Sequence, residues 1–217
     1  MAPSPTRPRP ATAKQRAAER KRDAPAERRG EARRQLLLEK TLELVGREGV
    51  DAVHHRRVAE LAGVPLGSTT YWFTSRDDML VQALAWFAEH ELELMRDRLG
   101  PLADAGRHPR RLVDRFAALM MLQLGPDRIR ARAQYALLQE AAHRPQLEPV
   151  VRAWSAGWHD LLEQLFAGLG HPDPRLDAQL FLALLDGLML TQLAAPDDDF
   201  EQAVLRPALR RWLEPSA

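Results

Sequence analysis

From Glu31 onward, apolar residues recur every three to four positions, and no window alternates with a period of two over strand length. That pattern predicts an all-α protein of about nine helices. Leu37, Thr41, Leu44 and Val45 share one helical face, while Glu39, Lys40, Glu43 and Arg47 face away. Gly46 and Gly49 weaken this first helix, which is expected to stop near Glu48. Val58, Leu61 and Ala62 then mark a short helix ending at Gly63, a residue free to adopt positive φ. A second short helix runs from about Pro65, which suits a first turn, to Phe73. Ser75-Arg76-Asp77-Asp78 offers a serine cap with acids behind it, close to a capping box with Asp in place of Glu. It opens a long helix with Met79, Leu80, Ala83, Phe87 and His90 along one side, expected to end at Gly100-Pro101. Breaks at Gly106–Pro109, Gly125-Pro126, Arg144-Pro145, Gly168–Pro174 and Pro196–Asp199 divide the rest. Five more helices follow, at roughly 110–124, 127–143, 147–168, 174–194 and 198–213, with the short connections of a helical bundle.

The two short helices joined by Ala62-Gly63-Val64 form a helix-turn-helix, whose second helix enters the major groove of DNA while the first crosses the backbone. Only a small residue at the turn lets the helices cross closely. Val58, Ala59, Ala62, Val64, Thr69 and Phe73 are placed for the small core between them. The opposite face carries Leu66, Gly67, Ser68, Thr70 and Tyr71, small and rich in hydroxyls, able to approach bases and phosphates.

Charge changes this picture only a little. Residues 1–76 hold 16 Lys and Arg against nine Asp and Glu, and the remaining chain is acidic, which suits a front half that meets a polyanion. Residues 31–76 alone hold seven basic and six acidic groups, so the basic excess sits on the first thirty residues. Those thirty are rich in Pro, Ala and Arg and poor in large apolar side chains, and they are read as a disordered arm. The arm is either a solubilising tail or a DNA contact in which Arg28, Arg29, Arg33 and Arg34 reach phosphate or the minor groove.

The run Arg57-Val58-Ala59-Glu60-Leu61-Ala62-Gly63-Val64-Pro65-Leu66-Gly67-Ser68-Thr69-Thr70-Tyr71-Trp72-Phe73-Thr74-Ser75-Arg76-Asp77-Asp78-Met79-Leu80 resembles the TetR family of bacterial regulators. The preceding helix, with Leu37 to Val45 and the closing Gly49, matches the family's first helix, so the resemblance spans about residues 31–80. It implies a three-helix DNA-binding domain at 31–77 and a helical effector-binding and dimerisation domain at 78–214. It also implies DNA contacts from Arg56, Gly67, Ser68, Thr70, Tyr71, Trp72 and Arg76, with Arg56 able to pair with guanine and Arg76 with phosphate. Trp72 is equally compatible with packing and with a phosphate contact, whereas Phe73 reads as core. Two positions depart from the family: Thr70 stands where Tyr is common, and no Thr or Ser caps the second helix near His54 or His55.

The resemblance further implies a ligand pocket behind the fourth helix and a homodimer formed by the last two helices. Trp86, His90, Met120, Met121, Tyr135, Gln139, Trp154 and Trp158 are candidates for the pocket, compatible with a hydrophobic or aromatic effector. The helix at 174–194 is apolar over much of its circumference and needs cover on several sides. Its Asp186 and flanking Gln179 and Gln192 favour a buried helix over a membrane span. Phe181, Leu184, Leu185 and Leu188, with Leu205, Leu209 and Trp212 on the final helix, are the candidates for the dimer interface.

Other chemistries find little footing. The chain has no cysteine, hence no disulfide framework or thiolate. The seven histidines include no H-x-x-x-H pair, and no P-loop, nucleophile elbow or dinucleotide loop is present. No metal, cofactor or catalytic residue is therefore expected. The reading is a cytoplasmic, ligand-responsive transcriptional regulator on a palindromic operator, a repressor by default. The alternatives are a ligand-independent activator and a helical protein-interaction adaptor.

Overall fold

The computed structural model describes residues 13–99 and 109–214, which form nine α-helices. They are α1 (Ala13–Glu48), α2 (His55–Ala62), α3 (Leu66–Trp72), α4 (Arg76–Leu99), α5 (Pro109–Leu124), α6 (Arg128–Ala141), α7 (Glu148–Gly168), α8 (Pro174–Ala194) and α9 (Arg206–Leu213). A 3-10 turn, Val50–Ala52, follows α1, and a π-helical turn, Glu201–Leu205, leads into α9. Residues 1–12, the Gly100-Pro101 stop and Gly106 lie outside the described residues.

The expected disordered arm is corrected from Ala13 onward, where α1 begins. The segment lacks apolar residues to bury, but it is dominated by Ala, Arg, Lys and Glu, among the best helix formers. A helix already nucleated by the packed segment behind it extends at little further cost. It does so with Pro25 inside it, despite the donor proline lacks.

Local chemistry fixes the front of the molecule. Gly49, at φ 88°, ends α1 with its N–H on the Val45 carbonyl at 2.9 Å. Gly63, at φ 64°, caps α2 in the left-handed region and turns the chain into α3. At the start of α4, Ser75 Oγ accepts from the Asp78 N–H at 3.0 Å while Asp78 accepts from the Thr74 N–H at 2.7 Å. Burial raises the Asp78 pKa, but the bonds from Gln82 and Thr74 outweigh it and hold the carboxyl below its usual range.

Two cores run through the chain. The front core joins Leu37, Leu44, Val58, Phe73 and Leu80 to Ala133, Leu137 and Trp154, so α6 and α7 help to bury the helices at the front of the chain. The rear core centres on Phe116, Leu162, Phe166 and Phe181 and includes Leu205, Leu209 and Leu213. Phe181, Leu205 and Leu209 are wholly buried within the protomer. The expectation that they face a partner is thereby corrected.

The helices α1 and α6 meet without a cushion. A β-carbon built on Gly46 would overlap the Ile129 main-chain carbonyl. Gly46→Ala should therefore cost about 1–3 kcal/mol through overpacking. Thermal unfolding followed by circular dichroism should show a loss of roughly 2–12 °C, and an unchanged midpoint would mean that the seam opens freely.

Candidate DNA-binding face and ligand cavity

The helix pair α2–α3 presents one exposed surface. Arg56 projects from the first turn of α2 with a side chain 84% exposed and, among the described residues, is paired only to Glu60 of its own helix, at 2.9 Å. Such a surface pair is weak and is readily exchanged for a stronger acceptor. Tyr71, 78% exposed, is the most prominent apolar group on α3. Thr70 is exposed and donates to the Gly67 carbonyl at 3.3 Å, Ser68 is half-buried, and a β-carbon built on Gly67 would meet none of the described residues within 4 Å, so another molecule's surface can come close there. Thr69 faces inward and donates to the Leu66 carbonyl at 2.8 Å.

Trp72 combines the two roles left open for it. Its ring lies edge-to-face with Tyr71, centroids 5.0 Å apart, and stands where a β-carbon built on Gly30 of α1 would be in ordinary contact with it. It also lines an open groove between α1 and α3, with Arg29 and Arg33 on one side and Ser68 and Tyr71 on the other. Arg28 is exposed as well. Arg34 is tied to Glu31 and to Gln82 of α4, at 3.1 and 2.9 Å, which takes it out of the exposed group expected for the arm.

Arg76 differs from its expected place. Its guanidinium donates to the Val50 carbonyl at 2.9 Å and to Asp51 at 3.0 Å, and the side chain is only 29% exposed. It clamps the start of α4 to the 3-10 turn instead of standing free for phosphate. His54 precedes α2 in an extended conformation without a side-chain cap, and His55 is half-buried.

Behind this face, α5, α6, α7 and α8 enclose a cavity of about 180 Å³. Of the expected residues, Met120, Tyr135, Trp154 and Trp158 lie in its wall. Trp86, His90, Met121 and Gln139 do not line it. Trp86 and His90 stack on each other on α4, centroids 4.3 Å apart, and Gln139 is exposed on the far side of α6. Met121 packs against the rear core. Met79, Leu80, Ala83 and Phe87 of α4 are buried as expected, but His90 at the end of that row is exposed, and the cavity lies one helix further in.

The wall also contains Gln123, together with groups that the sequence did not assign to it: Gln134, Leu182, Leu185, which was expected at the dimer interface, Met189 and above all Asp186. The Tyr135 hydroxyl donates to Asp186 at 2.9 Å. Burial pushes the Asp186 carboxyl above its ordinary range, against the Tyr135 bond, and burial with the neighbouring carboxylate pushes the Tyr135 phenol up. Trp154 is buried, with an indole N–H that finds no acceptor among the described residues. The available signal was Asp186 itself, a charge within the most apolar helix of the chain. Gln123 also donates to Glu91 of α4 at 3.1 Å. Glu91, 3% exposed, pairs with Arg130 of α6 at 3.3 Å.

On α8 the solvent side is a stripe: Leu176, Leu180 and Leu190 are each 48% exposed, with Ala183, Gly187 and Ala194 between and after them. Leu184 is half-exposed beside it, Leu188 packs on the rear core, and Leu185 belongs to the cavity. Trp212 is half-buried against Phe166 and Phe181, at 6.1 and 6.0 Å.

The family model of the tetracyclin repressor-like C-terminal domain matches residues 107–215, half of the chain. The nicotine-responsive transcriptional repressor HdnoR of Paenarthrobacter nicotinovorans is 25% identical over 171 residues, 76% of this chain and 86% of HdnoR. Among solved structures, the multidrug binding protein EbrR complexed with ethidium is 32% identical with a TM-score of 0.62, covering 83% of this chain and 97% of EbrR. A TetR family member from Streptomyces coelicolor A3 is 34% identical with a TM-score of 0.64, covering 85% and 99%. With a helix-turn-helix in front and the matched C-terminal domain behind it, the chain belongs to the TetR family of transcriptional regulators.

Proposed function

We propose that the protein is a ligand-responsive repressor, which binds a palindromic operator as a homodimer and leaves it when a small molecule occupies the cavity. The observation that carries this reading is the union, in one chain, of an exposed reading face and an enclosed cavity that share α6 as a common support. HdnoR, a nicotine-responsive repressor, and EbrR, seen with ethidium, are relatives of the same kind. Arg56 and residues 67–72 form the reading surface, with Arg29 and Arg33 placed to meet the phosphate backbone alongside it. The dimer is formed through α8, of whose most apolar window only 17% is buried in the protomer. Such a helix calls for a second copy across a twofold axis, which sets two α3 helices on successive turns of DNA. The ligand acts by preferring the conformation that fits the operator less well. A cytoplasmic location follows from work on DNA.

Arg56→Ala and Tyr71→Ala test the reading face. Each should weaken binding to a selected palindromic site by about 1–3 kcal/mol, roughly 5- to 150-fold, measured by fluorescence anisotropy at fixed salt. Affinity for random DNA should change much less for Tyr71→Ala, which removes no charge. If neither substitution changes specific affinity, the operator is read elsewhere.

A further inference from the structure

The cavity wall is unbalanced in charge. It contains the Asp186 carboxylate and no basic side chain. Among the described residues, no ion pair engages Asp186; the Tyr135 hydroxyl donates one hydrogen bond to it and supplies no charge. Around it stand the rings of Phe116, Tyr135, Trp154 and Trp158, with Met120 and Leu185. A carboxylate held among apolar groups is unfavourable unless a cation or a proton joins it. An anionic occupant would worsen the imbalance, and a neutral one would exclude water from the carboxylate without replacing it. A cation relieves it, and aromatic faces attract the same charge from the other sides, an attraction that grows as water is excluded.

We infer that the cavity takes a monovalent organic cation, a quaternary or protonated amine on an apolar or aromatic frame, with the Asp186 carboxylate as its counter-charge. This rests on the reading of the cavity as the effector site. Metal ions and highly hydrated cations are poor occupants, because the wall offers one carboxylate and few other oxygen ligands. Tyr135 serves as a positioning residue, its hydroxyl holding one carboxylate oxygen while the other remains for the ligand.

The test compares two molecules of one shape. Benzyltrimethylammonium and its uncharged carbon isostere, neopentylbenzene, are titrated into the full-length protein, with the fluorescence of Trp154 and Trp158 in the wall as the readout. Wild-type protein should bind the cation at least about tenfold more tightly than the isostere, the scale expected for a contact with a charged group. Asp186→Asn, which keeps the side-chain shape, should abolish that preference by weakening the cation alone. Tyr135→Phe should weaken the cation by a smaller factor. Equal affinities in wild-type protein overturn the assignment, and this comparison needs no variant to fold. Failure of the cation to saturate the signal by about 1 mM overturns it too, since a charge-assisted pocket contact would then be worth almost nothing. A labelled operator fragment in the same titration separates the two levels. Asp186-dependent cation binding that leaves the operator bound supports the cation site and removes the effector reading. Operator release by the neutral isostere with equal affinity keeps the effector reading and overturns the cation.

Discussion

Leu180→Glu should yield a folded monomer that no longer holds its operator. Leu180 lies at the middle of the stripe on α8, nearly half exposed in the protomer, flanked by Leu176 and by Gly187 and Leu190. Around a twofold axis, one substitution places two carboxylates in the same apolar seam. Each carries a desolvation penalty of several kcal/mol with no partner to offset it. The protomer loses nothing comparable, because the side chain is already in water there. Far-ultraviolet circular dichroism should therefore match wild type, while sedimentation velocity at micromolar concentration should show the monomer mass. Losing the linkage between two reading heads should lower operator affinity by roughly a hundredfold or more. A persisting dimer would place the interface on another face.

One residue along the same helix, the consequence reverses. Phe181→Ala should leave surviving molecules dimeric but sharply destabilise them. Phe181 is fully buried, edge-to-face with Phe116 at 5.4 Å and Phe166 at 5.3 Å, and Trp212 covers the same cluster. Truncation removes the ring from water-free packing and opens a cavity that three other aromatic groups are too rigid to fill. The expected cost is about 3–5 kcal/mol, equivalent to a fall of roughly 6–20 °C in Tm for a chain of this size. A change below about 1 kcal/mol would mean that the rear core is loosely packed. The two variants together separate protomer core from dimer face on a single helix.

That separation is what periodicity could not supply. The α8 sequence is apolar nearly all round, so the pattern gives no inner side. Phe181, buried, and Leu180, exposed, are equally apolar. Leu205 and Leu209 fail for another reason: the last helix has one clear apolar stripe, but the pattern cannot say whether that stripe meets a partner or, as here, the rear core of its own protomer. The helix-turn-helix, in contrast, was legible almost residue by residue, because its signals are local. Gly63 needs positive φ, Pro65 suits a helix start, and Ser75 with Asp78 closes a cap. None of these depends on what packs against them. Cavity residues depend on nothing else: Trp86 and Trp154 are similar in sequence terms, and only the stacking of α5 to α8 puts one of them in the wall. Arg76 shows where positional analogy stops. Its place in the motif is familiar, but Asp51, an acid outside the motif, has claimed its guanidinium.

The meeting of Gly46 with Ile129 has a mechanical consequence. Side chains normally act as springs between helices, bending through rotamer changes before the backbones move. At this crossing the layer is missing, because α1 rests on the main chain at the start of α6. The middle and second half of α6 supply Gln134, Tyr135 and Leu138 to the cavity wall. A molecule that levers Tyr135 aside therefore turns a stiff rod whose far end bears directly on the helix supporting α2 and α3. Little of that travel is absorbed on the way, so a displacement too small to disturb either core can still shift α2 and α3, and in the proposed dimer it would alter the separation of the two reading helices.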